Sequence, residues 1–287
     1  MVCSHCTKEG SALVSEDEFL MLKQAKTSNY IPGIDITEQL RSDLEKGLSV
    51  TLPDGHFYLS ESICIYGYPG GTIKGAGKDA TIIEASPGFK VPETPGFPPG
   101  YGISSMLEIH AEGDLTCKAF SILVEGDHPA EGHTNPFYGG YYSTNIDNVI
   151  TLLGDGISLE CKDLRIKGEY VGDVEGAYNG YNVTWPIIGT GYGEPGLFNH
   201  LSVKNCVIEG AGGAAIDLWM GTTAELKDNV ISNADVGVML LENPGMQTVK
   251  DCHFSNISSS VFFMWNIGPH CFKDNLEDGF PMPDDCQ

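Results

Sequence analysis

The chain has 287 residues, 41% of them hydrophobic, and carries a net charge of −23 from 16 Lys plus Arg against 39 Asp plus Glu. Phosphate binding needs clustered Lys and Arg, so this balance argues against nucleic acid and anionic membrane surfaces as partners. No apolar run reaches the roughly 18 residues that a transmembrane helix requires.

The first ten residues, Met1-Val-Cys-Ser-His-Cys-Thr-Lys-Glu-Gly10, lack the apolar core of a secretory signal. The expectation is a cytoplasmic protein, or a secreted one if a signal has been removed. Cys3 and Cys6 have the spacing of a zinc or redox pair, with His270-Cys271 as a second, distant pair. Thr37–Gly47 (Thr-Glu-Gln-Leu-Arg-Ser-Asp-Leu-Glu-Lys-Gly) reads as a short helix with Thr37 as N-cap and Gly47 as stop. Residues 1–47 form an N-terminal segment and helical cap for the array that follows.

From residue 48 onward the chain repeats. Val203-Lys-Asn-Cys-Val-Ile208, Leu226-Lys-Asp-Asn-Val-Ile231 and Val249-Lys-Asp-Cys-His-Phe254 place Lys204, Lys227 and Lys250 at steps of 23 residues. A period of this length with two β-favouring runs per phrase is one coil of a solenoid, and residues one period apart stack at about 4.8 Å. Lys74, Lys118 and Lys162 occupy equivalent places, at steps of 44, 44 and 42 residues. Each long step is one coil plus an insertion: Ser86–Ser105, Glu125–Asn145 and Glu169–Gly196. All three follow the same strand, so they emerge at one corner and build one wall, where binding faces often lie.

These phrases, with Thr51-Leu-Pro-Asp-Gly-His-Phe-Tyr-Leu59, Gly75-Ala-Gly-Lys-Asp-Ala-Thr-Ile-Ile83 and Asn229 in a tight turn aligned with Cys206 and Cys252, resemble the parallel β-helix proteins of the pectin-lyase-like superfamily. The resemblance covers about residues 48–268 and implies an all-β, right-handed parallel β-helix of about seven coils. It also implies a groove on the first parallel sheet. Residues 269–287 are an acidic, Pro-containing tail that packs as a cap or hangs free. Arg165-Ile-Lys167 copies a polygalacturonase tripeptide but falls off the groove, without that family's acidic motifs. The pectate-lyase arginine has no counterpart either, since the chain's two arginines are Arg41 and Arg165.

The lysines serve as rulers for the strand about ten residues upstream. With Ile216 and Leu218 pointing in, Asp217 and Trp219 point out; adding 23 residues puts Glu242 out, with Val238 and Leu240, and then Phe263 and Trp265, with Val261. Counting back from Lys118 gives Glu108 and His110 out, and from Lys74 gives Ser62, Cys64 and Tyr66. Ile146–Leu153 is ambiguous in phase, leaving Thr151 and Asp147 as open candidates. The pattern does not phase the coil around Gly180–Pro186.

On this face Asp217 and Glu242 fall about 8 Å apart by strand geometry, inside the ~6.5–9.5 Å carboxylate spacing of inverting glycosidases. Glu108 and His110, about 14 Å from Asp217 by the same geometry, form a second candidate acid–base pair. Trp219, Trp265, Phe263 and Tyr66 offer flat faces for sugar rings, and Tyr138, Tyr142, Tyr181 and Trp185 in the insertions add an aromatic lid. No cofactor is required. Asp127, His128, Glu131 and His133 offer ligand types for a divalent cation, calcium or zinc. Cys117 with Cys161, and Cys206 with Cys252, read as buried thiols, and nine cysteines so placed suggest a reduced chain. Asn182-Val-Thr184 and Asn256-Ile-Ser258 are glycosylation sequons that matter only in a secreted protein.

The expected function is a carbohydrate-active lyase or glycoside hydrolase acting on a glycan or oligosaccharide in the groove. The alternatives are an isomerase or cyclase acting on a non-sugar small molecule beneath the long loops, and a non-catalytic glycan-binding or structural β-helix.

Overall fold

The residues of each Lys phrase lie on one parallel ladder: Lys74, Lys118, Lys162, Lys204, Lys227, Lys250 and Lys273 stand in register on successive strands. These strands belong to a computed structural model that describes residues 29–90, 105–126, 133–134, 141–142, 146–172, 178–191, 197–264 and 268–287. The fold is all-β, of parallel sheets, as expected. The chain passes through three strand columns in a constant order. The Lys column comes first; the second column holds Gly55–Glu61, Thr81–Lys90, Ser121–Val124 and Arg165–Gly168. The third holds Ile63–Tyr68, Ser105–Ala111, Ile146–Leu153 and Val183–Thr190. Later coils merge second and third columns into the long strands Val207–Trp219, Val230–Leu241 and His253–Met264.

Period-2 alternation decides what each column buries. In the Lys column the residue before each lysine points inward, so Ile73, Cys117, Cys161, Val203, Leu226 and Val249 form one buried row. In the second column Phe57, Ile83, Ile122, Ile166, Ile208, Ile231 and Phe254 form another. Each such side chain contributes about 1.5–3 kcal/mol by leaving water. Stacked lysines repel one another, and carboxylates relieve them: Lys204 meets Glu225 at 2.7 Å, Lys227 meets Asp228 and Lys250 meets Asp251.

From Lys162 onward the residue after each lysine turns the corner with a positive φ: Asp163, Asn205, Asp228, Asp251 and Asp274 lie between +52° and +55°. Asp and Asn tolerate that conformation better than other residues with a Cβ. Next comes the buried Cys/Asn stack expected around Asn229. Its Nδ2 donates to Val203 O at 2.8 Å and its Oδ1 accepts from Cys206 N at 3.0 Å. Asn275 repeats the pattern with Val249 O and Cys252 N. The buried thiols are as expected. Burial pushes Cys117 and Cys206 up to about 12 and Cys252 up to about 11, and raises Cys161 as well.

Helix α1 (Thr37–Glu45) covers the first coil with Leu40 and Leu44 buried, and Gly47 (φ +68°) ends it as expected. The N-cap differs from expectation. Thr37 is already helical, and Asp35 supplies the acceptor, taking hydrogen bonds from Thr37 N (2.9 Å) and Thr37 Oγ1 (2.6 Å). Burial pulls the Asp35 carboxyl up, but hydrogen bonds from Ser60 and Thr37 outweigh it and hold it below the usual range.

At the other end the parallel ladders run past residue 268, through His270–Lys273 and Leu276–Glu277. The tail then packs as a cap: Phe280–Pro281 and Asp285–Cys286 return antiparallel on those two strands and cover their edges. One expectation fails here. Cys271 and Cys286 face each other across the ladder and are joined by a disulfide, so the chain is not wholly reduced. Cys271 is therefore not a zinc ligand; Cys3 and Cys6 lie outside the described residues. No helix among the described residues is long and apolar enough to cross a membrane.

All three insertions leave between the second and third columns, from one corner. The third is shorter than expected, because Val183–Thr190 is itself the third-column strand of the fourth coil. Asn182 ties its base down. Its amide donates to Val124 O and Gly126 O, both at 2.9 Å, and its Oδ1 accepts from Glu169 N. At 3% exposure this sequon asparagine is closed to glycosylation in the folded chain.

Candidate functional site on the third column

The outer face of the third column is set by two rows. One runs Cys64, Glu108, Thr151, Ile188, Asp217, Met239, and the other Tyr66, His110, Leu153, Thr190, Trp219, Leu241. The lysine rulers thus put Cys64, Tyr66, Glu108, His110, Asp217 and Trp219 on this face, and the ladder settles the open phase of the third coil by placing Thr151 in the Glu108 row.

They fail one coil later, and the expected Asp217–Glu242 dyad does not form. Ala211 pairs with Ala234 but Ala214 pairs with Val236, so three steps on one strand face two on the next. The extra residue is a β-bulge at Gly212–Gly213, and a one-residue slip exchanges the two faces of every later position. Val238 and Leu240 are therefore buried in the core and Met239 stands beside Asp217. Glu242 lies past the strand end in a turn with φ +55°. By the same slip Phe263 stands in the row of Leu218 and Leu240 instead of the outer row. Glycine suits the bulge, since a Cβ at Gly213 would come within 3.0 Å of the Trp185 indole nitrogen. Trp185 itself is not on a lid: it belongs to the strand Val183–Thr190, opposite Asn148, and is 8% exposed.

Asp217 is fully buried, and neither carboxyl oxygen makes a hydrogen bond of normal geometry among the described residues. Burial drives its pKa well above the usual carboxylate range, only partly offset by the Trp219 indole nearby.

At the other end of the face, three ladder steps from Asp217, the expected Glu108–His110 pair is assembled. Glu108 and His110 are two residues apart on one strand, so both project outward, and His110 Nε2 lies 2.8 Å from Glu108 Oε1. Their side chains are 6% and 13% exposed. The Tyr66 ring, one coil before, stacks on the imidazole at 4.3 Å between centroids and 24° between planes, while its residue remains 53% exposed. Cys64 sits one coil before Glu108, with its thiol donating to Glu108 Oε1 at 3.8 Å. Burial, reinforced by the Glu108 carboxylate, pushes the thiol up to about 11. Ser62 continues the alternation of Cys64 and Tyr66, and its buried hydroxyl has no hydrogen-bond partner among the described residues.

Sequence reasoning placed Cys64 on this face without a role, although its 44-residue step to Glu108 equals that from Lys74 to Lys118. It missed Arg41 altogether. From α1 the guanidinium pairs with Glu38 and Glu61, donates to Ser62 O at 3.0 Å and lies close enough to Cys64 to act on its thiol. Burial acts against the Arg41 charge, and the two carboxylates more than restore it. No local pattern signals this, because the helix meets the strand only in the folded chain.

The remaining candidates are accounted for as follows. Tyr181 packs edge-on against Tyr170 at 5.3 Å, and the two pair as an isolated antiparallel bridge at the mouth of the third insertion. His133 and Tyr142 are opposite one another in a two-stranded antiparallel ladder. Asp127, His128, Glu131, Tyr138 and Trp265 lie outside the described residues. Arg165 and Lys167 stand on the second column, off this face, and pair with Asp79 and Glu125.

No protein-family model matches the chain, and no curated protein matches it. Among solved structures it is similar to the A-module of the mannuronan C-5 epimerase AlgE4 of Azotobacter vinelandii, at 11% identity and a TM-score of 0.32, over 87% of this chain and 76% of that one. A likeness at this level bears on neither fold nor activity. The strand ladders carry the fold, and the Cys64–Glu108–His110 cluster carries the site.

Proposed function

We propose that the protein is a carbohydrate-active enzyme of lyase type, taking and returning a proton on a glycan or oligosaccharide at the outer face of the third column. The observation that carries this reading is the 2.8 Å contact between His110 and the nearly buried Glu108. A carboxylate in that position orients the imidazole and balances its charge when it takes up a proton. Tyr66, stacked on His110 and half exposed, offers a flat apolar face to a sugar ring. Loss of the Asp217–Glu242 dyad removes the support for two-carboxylate hydrolysis and favours proton transfer by one pair. Elimination needs a ring C–H acidified by a neighbouring carboxylate, with the glycosidic oxygen leaving and taking up a proton, so against a net charge of −23 the substrate would be an anionic saccharide bridged by cations.

The second reading is an isomerase acting on a small non-sugar molecule. It is favoured by the size of the reactive cluster, whose three polar groups fall within 4.8 Å of one another and could serve a single small substrate.

The test is a panel of neutral and acidic oligosaccharides and small hydroxy acids incubated with the full chain, with product masses measured with and without EDTA. Elimination splits a chain without adding water, hydrolysis adds water, and isomerisation leaves the mass unchanged. His110→Ala and Glu108→Gln should each lower the rate by about 10²–10⁴-fold, the usual contribution of a positioned acid–base group. Glu242→Gln should leave it unchanged. Turnover that survives both site substitutions would sink the proposal.

A further inference from the structure

We infer that Cys64, Glu108 and His110 form a binding site for a zinc-class divalent metal. One ligand atom from each residue, Sγ, a carboxylate oxygen and a ring nitrogen, lies within 4.8 Å of the other two. Two of the separations are 3.8 Å from Sγ to Oε1 and 2.8 Å from Nε2 to Oε1. With bonds of about 2.0–2.1 Å to N and O and about 2.3 Å to S, a tetrahedral ion holds these atoms about 3.3 Å and 3.5 Å apart. The third separation, from Sγ to Nε2, is at most 4.8 Å against about 3.5 Å in such a complex, so movements of up to about an ångström, within the reach of side-chain rotation, convert one arrangement into the other.

The scaffold suits such a site. Cys64 and Glu108 are register partners on adjacent parallel strands, and His110 is two residues along the second, so all three share one face of a ladder. The donor set decides the class of ion. One thiol, one imidazole and one carboxylate fit zinc and its neighbours, whereas calcium and magnesium take oxygen shells. Three protein ligands leave a fourth position open, the arrangement of catalytic zinc, where bound water becomes a nucleophile or base near neutral pH. The buried Ser62 hydroxyl, beside Cys64 and without a hydrogen-bond partner among the described residues, is a polar group of the kind that orients such a water.

The metal site rests on the cluster named under the proposed function: with an ion bound, Cys64, Glu108 and His110 would hold it, and the ion would supply an acidified water. The ion would also bridge an acidic face to an anionic sugar. It is a different site from the candidate set Asp127, His128, Glu131 and His133, of which only His133 lies among the described residues.

The full chain, stripped with EDTA, is titrated with Zn²⁺ by calorimetry and with Co²⁺ by absorption. One equivalent should give the near-ultraviolet thiolate-to-cobalt band and the visible bands of a four-coordinate ion. Cys64→Ser should abolish the thiolate band, and His110→Ala and Glu108→Gln should each weaken binding more than about tenfold, beyond the loss of an outer-shell partner. In the unaltered protein, saturating Zn²⁺ should slow alkylation of Cys64, followed by peptide mass, at least about tenfold. That arm needs no variant to fold. Bands that persist in Cys64→Ser, affinity unchanged in either other variant, or an alkylation rate indifferent to zinc would each overturn the site. Metal uptake without turnover of any saccharide would sink the proposed function alone, and turnover by a protein that binds no metal would sink the metal site alone.

Discussion

Met239 stands beside Asp217 on the outer face of the third column, so the buried acid has a thioether neighbour where a second carboxylate would be needed for hydrolysis. Burial of this carboxyl, only partly offset by the Trp219 indole, favours its protonated form, and this has a measurable consequence. Between the ordinary Asp value near 4 and its raised folded value, the folded chain binds one more proton than the unfolded chain. Stability contributed by Asp217 is therefore full below about pH 4 and falls as pH rises, by about 1.4 kcal/mol per unit. Denaturant unfolding of the parent and Asp217→Asn, followed upward from about pH 4.5, should show the variant gaining on the parent as pH rises toward the raised folded value. Parallel curves would show that Asp217 is not buried as described.

Asn229 satisfies a buried carbonyl and a buried N–H on adjacent turns. Asn229→Ala orphans both Val203 O and Cys206 N, at a cost of about 1–3 kcal/mol for each buried group left unsatisfied. Asn205→Ala, at the neighbouring exposed turn position, removes no such pairing and should cost less. The two denaturation midpoints, compared at equal m-value, decide this.

Cys117, Cys161, Cys206 and Cys252 are fully buried with thiol pKa values far above neutrality. Native protein treated with iodoacetamide at pH 7.5 should stay unmodified at all four, and all four should label in denaturant. Native labelling at Cys161, in the middle of the inward Lys-column row, would contradict the ladder register.

The Cys271–Cys286 disulfide closes a loop with a sequence separation of 15 and clamps the returning tail. Chain-entropy reasoning gives about 3 kcal/mol for a loop of that size. Cys286→Ala should destabilise the terminal cap by up to about that amount and open residues 270–287 to proteolysis first, leaving the earlier coils protected. Limited proteolysis read by intact mass checks the order of cleavage.

The architecture was legible because it repeats. A recurring lysine, at steps of 23 residues in the later coils, an inward apolar residue before it and, from Lys162 onward, an Asp or Asn after it state a register, a core row and a turn, and each is a local preference. The Cys64–Glu108 alignment followed from the same arithmetic across a 44-residue step. The Asp217–Glu242 pair was misread for a definite reason. The Lys spacing remains 23 across that coil because the extra residue at Gly212–Gly213 is offset by a longer turn after Leu241, with Ala224 again opposite Gln247. A ruler anchored on one column does not register a shift that cancels before the chain returns to it.

What the sequence determined by itself was the repeat, and through it the columns, their faces and the corner from which the insertions leave, because those follow from period-2 alternation and turn chemistry. What only the tertiary structure decided was which polar groups meet. The bulge parted Asp217 from Glu242, and the docking of α1 brought Arg41 to the edge of the site. The side-chain contacts across adjacent strands brought the polar atoms of Cys64, Glu108 and His110 within 4.8 Å of one another. Such contacts depend on offsets of a single residue and on the packing of remote segments, to which a local pattern is blind.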